Sequence, residues 1–531
     1  MNTDRKNVGF ARTRRLVGAA ILFGTILSAQ VSAQSSGASV YLDSLRQVIR
    51  GFGGANIVGW NPGLSYGDMT PAEIQTAFGT GPGTLGLTIM RLRIPPDSTQ
   101  FSINVASAKL AESLGAKVIA TPWTPPAWMK TSDSIIGGSL DTNNYAAFAG
   151  HLKAFADTMA GNGAPLYAIS VQNEPDFVPT GYEGCGWNAA QFLQFMRYNA
   201  PAVGIPVFMP EAATFNFALS DPTLNDSLAA SHVAFIGGHV YGATPTSYSL
   251  ALSKGKEVWM TEYLINSPGS GVDMDSSWKG AMATARSIND CMNADMSAYV
   301  WWYIVRYYGP IDDGTKGGVA GAITKKGYVM AQYARFVRPG YQRIKADATP
   351  QRNIYVSAYQ HDSSFVIVAL NTASSPIDQT FILQNGTSGS VTVTPYVTSK
   401  TKNCEQQSTI GVSGGMFTAT LADSSVTTFV GTVVTGVQND ANTPQTFQMY
   451  QNFPNPFNPA TEIRYDVAER SLVTVAVYDV LGRKIATLVN QVQNPGRYRV
   501  TFDAATFPSG VYFYRLQSEG QNIVRKMLLL K

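Results

Sequence analysis

Tyr167-Ala168-Ile169-Ser170-Val171-Gln172-Asn173-Glu174-Pro175 is a short, apolar, strand-like run that ends on a carboxylate, and Glu257-Val258-Trp259-Met260-Thr261-Glu262-Tyr263 repeats the pattern. Neither stretch is informative alone, because apolar runs of this length are common. Their meaning comes from the rhythm around them. From 46 to 338, eight β-branched or apolar runs (47–53, 88–94, 117–123, 167–173, 206–209, 233–241, 257–263 and 298–304) alternate with helix-like stretches such as 144–160 and 187–198. Eight βα units in this length predict a (β/α)8 TIM barrel in the α/β class. The main rival, a doubly wound sheet, lacks support because no Gly-rich phosphate loop follows the first strand.

In such a barrel the chemistry sits at the C-terminal ends of the strands. Glu174 then closes the fourth strand and Glu262 the seventh, both at one mouth. Two carboxylates facing each other are the minimum equipment for cleaving a glycosidic bond. Other residues gather at the same rim. Arg93, near the end of the second strand, is expected to hold the nucleophilic carboxylate ionised, since an adjacent cation lowers a carboxyl pKa. Trp123 supplies an aromatic platform, and Asn173 a hydrogen bond to a sugar hydroxyl. His239 and Tyr241, ending the sixth strand, are placed to orient a neighbouring carboxylate, with a satisfied core histidine the competing reading of His239.

Composition narrows the partners. With 45% hydrophobic and 14% charged residues in 531, the chain has material for a large core. A net charge of +4, without a basic stripe beyond the leader, argues against nucleic acid. Cys185, Cys291 and Cys404 form neither a disulfide framework nor a zinc pattern, and with only four histidines no metal or other cofactor is expected. Basic residues Arg5 to Arg15, an apolar stretch over 16–29 and Val31-Ser32-Ala33 predict a signal peptide over 1–33. The leader's apolar run is shorter than a bilayer span, and no other segment is long and apolar enough to cross one, so no transmembrane segment is expected in the mature chain.

Past the barrel, 339–434 turns strand-rich and predicts a β-sandwich side domain, joined by a strand from 34–45; 435–449 is polar and reads as a linker. A further small β-sandwich domain follows over 450–531.

Taken together, Gly51-Phe52-Gly53-Gly54-Ala55, the segment 121–130, Val171 to Asp176, Met260-Thr261-Glu262-Tyr263, Val300-Trp301-Trp302-Tyr303 and Phe336 to Ile344 resemble glycoside hydrolase family 30. The resemblance implies a retaining double displacement with Glu174 as acid/base and Glu262 as nucleophile. Within that family, Trp302-Tyr303-Ile304-Val305-Arg306-Tyr307-Tyr308 is similar to the glucuronoxylanase subfamily. That implies a secreted endo-β-1,4-xylanase in which Arg306 and Tyr308 bind the 4-O-methylglucuronosyl branch of glucuronoxylan, Trp302 and Tyr303 line the sugar site, and a serine, Ser267 or Ser270, assists. A structural ion pair of Arg306 with Asp312 or Asp313 is the competing role. A β-glucanase or glucosylceramidase of the same family is the alternative activity, and a non-catalytic polysaccharide-binding protein a more distant one. Asn452-Phe453-Pro454-Asn455-Pro456-Phe457, Asp479-Val480-Leu481-Gly482-Arg483 and the terminal Lys526-Met527-Leu528-Leu529-Leu530-Lys531 resemble the C-terminal sorting domain of type IX secretion substrates. This implies the type IX machinery as a partner and a secreted or cell-surface location.

Overall fold

Eight parallel strands close into a barrel in the computed structural model, which describes residues 37–60, 67–265, 277–385, 391–432, 444, 446–518 and 520–531. After β1 (Ala38–Val48) come the barrel strands: β2 (Gly51–Asn56), β3 (Ile89–Ile94), β4 (Lys117–Pro122), β5 (Ala168–Ser170), β6 (Val207–Ala212), β7 (Val233–His239), β8 (Glu257–Glu262) and β9 (Ala298–Tyr303). β9 returns to pair with β2 and completes the ring. Each predicted strand is present, but the first starts later: 47 and 48 belong to β1, which leaves the barrel altogether. At β2 the ring is tight. A Cβ on Gly53 would lie 2.0 Å from the Ile89 carbonyl oxygen, so only glycine allows this approach.

The strand period of two sorts the side chains. Met90 and Leu92, Val118 and Ala120, Val258 and Met260 point outward into one large core shared with the surrounding helices. Ile89, Ile119, Ala168, Phe208, Phe235, Trp259, Ala298 and Val300 point inward and fill the barrel floor as a separate apolar cluster. The helix predicted over 144–160 spans Tyr145–Gly161, and that predicted over 187–198 spans Ala189–Tyr198, where Asn188 and Gln191 form a capping box.

The side domain is one ten-stranded sheet folded upon itself, with β1 between Gln342–Ala346 and Ile377–Gln384. Phe381, Phe417 and Phe429 meet across its interior at 4.9 to 5.2 Å, inside a core of its own. It is tied to the barrel helices by hydrogen bonds such as Trp278 Nε1 to Ser424 Oγ (2.8 Å).

The tail packs a three-stranded against a four-stranded antiparallel sheet around Met449, Tyr465, Val475, Tyr514 and Met527. The strand Gln448–Met449 pairs with Tyr465 and Asp466, so the predicted linker ends before 448 and its last residues belong to this unit. The predicted leader, 1–33, lies outside the described residues. Among the described residues no helix is long and apolar enough to cross a membrane, and the three cysteines are buried and unpaired.

Candidate active site

Above the apolar floor the inward face of the same strands becomes polar. On β3 the inward series runs Ile89, Arg91, Arg93; on β4 it runs Ile119, Thr121 and, just past the strand's end, Trp123. Glu174 follows β5 and adopts φ +42°, a left-handed conformation costly for a residue with a Cβ. The surrounding backbone enforces it. Asn173 N–H donates to Pro122 O (2.9 Å), Glu174 N–H to Glu211 O (3.1 Å), and Ala213 N–H to the Asp176 carboxylate (2.8 Å).

Glu262, at the end of β8, has both carboxylate oxygens occupied by donors. Arg91 Nη1 donates to Oε2 at 2.6 Å, and the Tyr241 hydroxyl donates to Oε1 at 2.8 Å. Arg91 is fully buried, and its other arm reaches Asn173 Oδ1 at 2.7 Å and lies 3.2 Å from Glu211 Oε1. Its guanidinium sits 4.8 Å from the centre of the Trp123 ring. Glu174 is contacted by His239, whose Nδ1 lies 3.1 Å from Oε1. His239 Nε2 in turn lies 3.8 Å from Glu211 Oε1. Facing oxygens of Glu174 and Glu262 approach within 4.8 Å of each other and of His239.

The charges of this cluster set one another. Burial opposes the Glu211 anion, yet Arg91, then His239 and the Ser170 hydroxyl, hold its carboxyl down at about 2. Burial likewise opposes a charged His239, but Glu262, Glu174 and Glu211 outweigh it and push the ring up to about 9. Burial, with the charge of Glu174, pushes Glu262 up against the pull of His239, Arg91 and Tyr241. Glu174, His239 and Glu262 are close enough to hold a cation. Their facing atoms are already engaged by Arg91, Tyr241 and each other, however, and a buried guanidinium within the same cluster repels a metal ion.

A cleft of about 710 Å³ opens over the two carboxylates, walled by Trp60, Trp123, Phe177, Tyr182, Trp302, Tyr303, Tyr307 and Tyr308. Trp60 Nε1 donates to the Tyr303 hydroxyl at 2.6 Å and packs edge-on against Trp302 and Tyr182. Burial pushes the Tyr182 phenol up to about 12, so it stays a neutral donor.

Of the residues expected from sequence, Glu174, Glu262, Asn173, Trp123, Tyr241, Trp302, Tyr303 and Tyr308 line this cleft, and His239 lies beneath it. Arg93 does not hold Glu262. It forms a bidentate pair with Glu183 and donates to Val58 O, while Arg91 takes the carboxylate. Both arginines face inward, and Arg93, two residues further along, sits one layer too high. Arg306 borders an adjoining cavity of about 390 Å³, which also meets Tyr303. Its guanidinium lies 3.7 Å from Asp313 and 4.2 Å above the Tyr303 ring, so the ion pair weighed as its competing role is present, with Asp313. Ser267 and Ser270 lie outside the described residues. Arg91, Glu211, Trp60 and Tyr182 were not legible as site residues. Arg91 carried a signal in its inward parity, whereas Glu211 lies beyond the predicted end of its strand at 209.

Residues 87–188 match the glycosyl hydrolase family 30 TIM-barrel domain, and residues 451–530 match the secretion system C-terminal sorting domain. The chain is 40% identical over 406 residues to glucuronoxylanase XynC of Bacillus subtilis (strain 168), covering 75% of this chain and 92% of that protein. Among solved structures it is similar to the glycoside hydrolase family 30 subfamily 8 xylanase Xyn30A from Clostridium acetobutylicum, with a TM-score of 0.68, 38% identity and coverage of 75% of this chain and 100% of that one. A GH30 endoxylanase from Clostridium papyrosolvens C71 gives a TM-score of 0.65 at 36% identity, with the same coverage. With paired carboxylates at the mouth of an eight-stranded barrel and this extent of identity, the chain belongs to glycoside hydrolase family 30, joined to a C-terminal sorting domain.

Proposed function

We propose that this protein is a secreted, retaining endo-β-1,4-xylanase that cuts glucuronoxylan. The observation that carries the reaction is the approach of Glu174 and Glu262 oxygens within 4.8 Å. Retaining glycosidases hold their carboxyl groups about 5 to 5.5 Å apart, and inverting ones leave roughly 6.5 to 9.5 Å for a water. Glu262 is the nucleophile. Arg91 and Tyr241 hold its carboxylate in place for attack on the anomeric carbon, forming a glycosyl ester as Glu174 gives its proton to the leaving oxygen. Glu174 then takes a proton from the incoming water, which breaks the ester with net retention. Asn173, held by Arg91, faces the cleft beside the acid and is placed to bind a sugar hydroxyl.

The substrate assignment is supported by the relatives, whose names describe glucuronoxylanases and xylanases. Arg306 is the reader of the glucuronosyl carboxylate, with Tyr308 as a further donor: a guanidinium matches a carboxylate in geometry and charge, and exchange of Asp313 for the sugar acid preserves the ion pair. Ser267 or Ser270 adds a donor. Side-by-side digestion of glucuronoxylan and unbranched arabinoxylan tests this. Products each carrying one glucuronosyl branch at a set position are expected. Equal cutting of both polymers would remove Arg306 as the reader.

The tail is proposed to direct passage through the type IX machinery, to a secreted or surface-attached enzyme. Truncation before 435 should abolish export, measured by activity in culture fractions; a truncated chain that still leaves the cell rules out the sorting role.

A further inference from the structure

Glu211 touches no part of the cleft, yet it joins both catalytic carboxylates. It is completely buried at the end of β6 and adopts φ +55°, so the two glutamates linked by the Glu174 N–H to Glu211 O hydrogen bond are both left-handed. Its carboxylate reaches two ways. Oε1 lies 3.2 Å from Arg91 and 3.8 Å from His239, while Oε2 accepts from Thr121 Oγ1 at 2.9 Å. Arg91 leads to Glu262, and His239 leads to Glu174.

We propose that Glu211 is the positioning residue of the reaction: one buried carboxylate anchors Arg91 for the nucleophile and His239 for the acid/base. This rests on the roles assigned above to Glu174 and Glu262. Three carboxylates, Glu174, Glu211 and Glu262, face His239. Of these Glu211 alone sits behind the ring with no exposure, so it is the permanent counter-ion, unchanged as Glu174 gains and loses a proton each cycle. The ring therefore remains an imidazolium that donates to Glu174. A buried anion without such partners would be untenable, and a cluster of this kind is retained where it orders reacting groups.

The test is Glu211→Gln in the full chain, which keeps the shape and removes the charge. The 15N shifts of the His239 ring, one of only four histidines and assigned from its loss in His239→Gln, report its protonation without turnover. The expected result is an imidazolium at pH 7 to 8 in the parent chain and a downward shift of the His239 titration in Glu211→Gln, with kcat lowered roughly 100-fold and KM little changed. Unchanged His239 titration together with unchanged kcat in the variant would overturn the proposal. If Glu211→Gln does not fold, the parent chain decides alone, since a neutral His239 at pH 7 sinks the idea. Activity surviving in Glu262→Gln would instead strike the catalytic assignment, while the ring's protonation still reports on Glu211.

Discussion

The floor and the mouth of the barrel are built by the same strands, yet they differ in every physical respect. On the floor, Phe208, Phe235 and Trp259 stack at 4.5 and 4.1 Å in an apolar layer. Higher on the same strands stand Arg91, Thr121, His239 and Glu211, all buried and charged or hydrogen-bonded, Glu211 beyond an irregularity in the register of β6. The floor stabilises by burial and dispersion, which are tolerant of detail. The mouth gains little net stability from its charges, because desolvation offsets their attraction; what it gains is fixed geometry. Rigidity below and preorganised charge above divide the labour within one ring of strands.

The largest expected effect breaks the mouth. Glu262→Gln keeps the shape and removes the attacking oxygen's charge, so kcat on glucuronoxylan should fall roughly 10^4-fold or more, with binding retained. Hydrolysis assays beside sugar-binding titrations measure both. Substantial remaining activity would end the nucleophile assignment.

Next come substitutions that separate the two layers. Phe235→Ala opens a cavity in the floor and should cost about 3 to 5 kcal/mol, with kcat per folded molecule unchanged. Arg91→Met takes the guanidinium from the buried Glu211 and Glu262 and leaves His239 as the cation they share, which should cost a similar ~3 to 5 kcal/mol and also remove activity. Denaturant melts with activity measured on the folded fraction distinguish the cases. If Phe235→Ala impaired turnover as severely as Arg91→Met, the division of labour would be wrong.

How much of this was readable follows from the same contrast. The barrel was legible because its apolar runs alternate with helix-like stretches, and Glu174 and Glu262 stood out as carboxylates ending such runs. Which arginine serves Glu262 was not legible. Arg91 and Arg93 share a parity, and the choice depends on depth, which the stagger of the strands fixes in three dimensions. Glu211 was hidden for a related reason: the run predicted to end at 209 continues through Pro210 to Ala212. The aromatic wall was half visible. Trp302 and Tyr303 end β9's apolar run, but Trp60 and Tyr182 come from loops whose course no local pattern gives.

A pH titration of stability probes the mouth's charges from both sides. His239 is raised to about 9 from an ordinary value near 6.5. Its contribution is therefore complete below about pH 6.5 and lost as pH rises through 9, an effect of about 3 kcal/mol. Glu211, lowered to about 2, contributes the opposite way: its share is present above about pH 4.3 and lost as pH falls toward 2. Unfolding free energy should decline in the alkaline window for the parent chain and stay flatter there in His239→Gln. Identical alkaline profiles would mean that the ring is neutral in the folded protein.

The smallest effect tests how finely the mouth is tuned. Tyr241 donates to Glu262 Oε1, and burial keeps its hydroxyl protonated far above its ordinary range. That bond favours the Glu262 anion, whose pKa burial and Glu174 already push upward. Below its pKa a nucleophilic carboxylate carries a proton and cannot attack, so in the role proposed for it Glu262 governs the acid limb of kcat/KM. Tyr241→Phe removes one stabiliser of the anion and should raise that limb by about one pH unit, since a hydrogen bond to a charged group contributes about 1.5 kcal/mol or more. The alkaline limb should stay where it was, because His239 and Glu174 keep their contacts. An acid limb that stays put or moves down would show that Arg91 alone holds the carboxylate ionised and that the phenol only shapes the pocket.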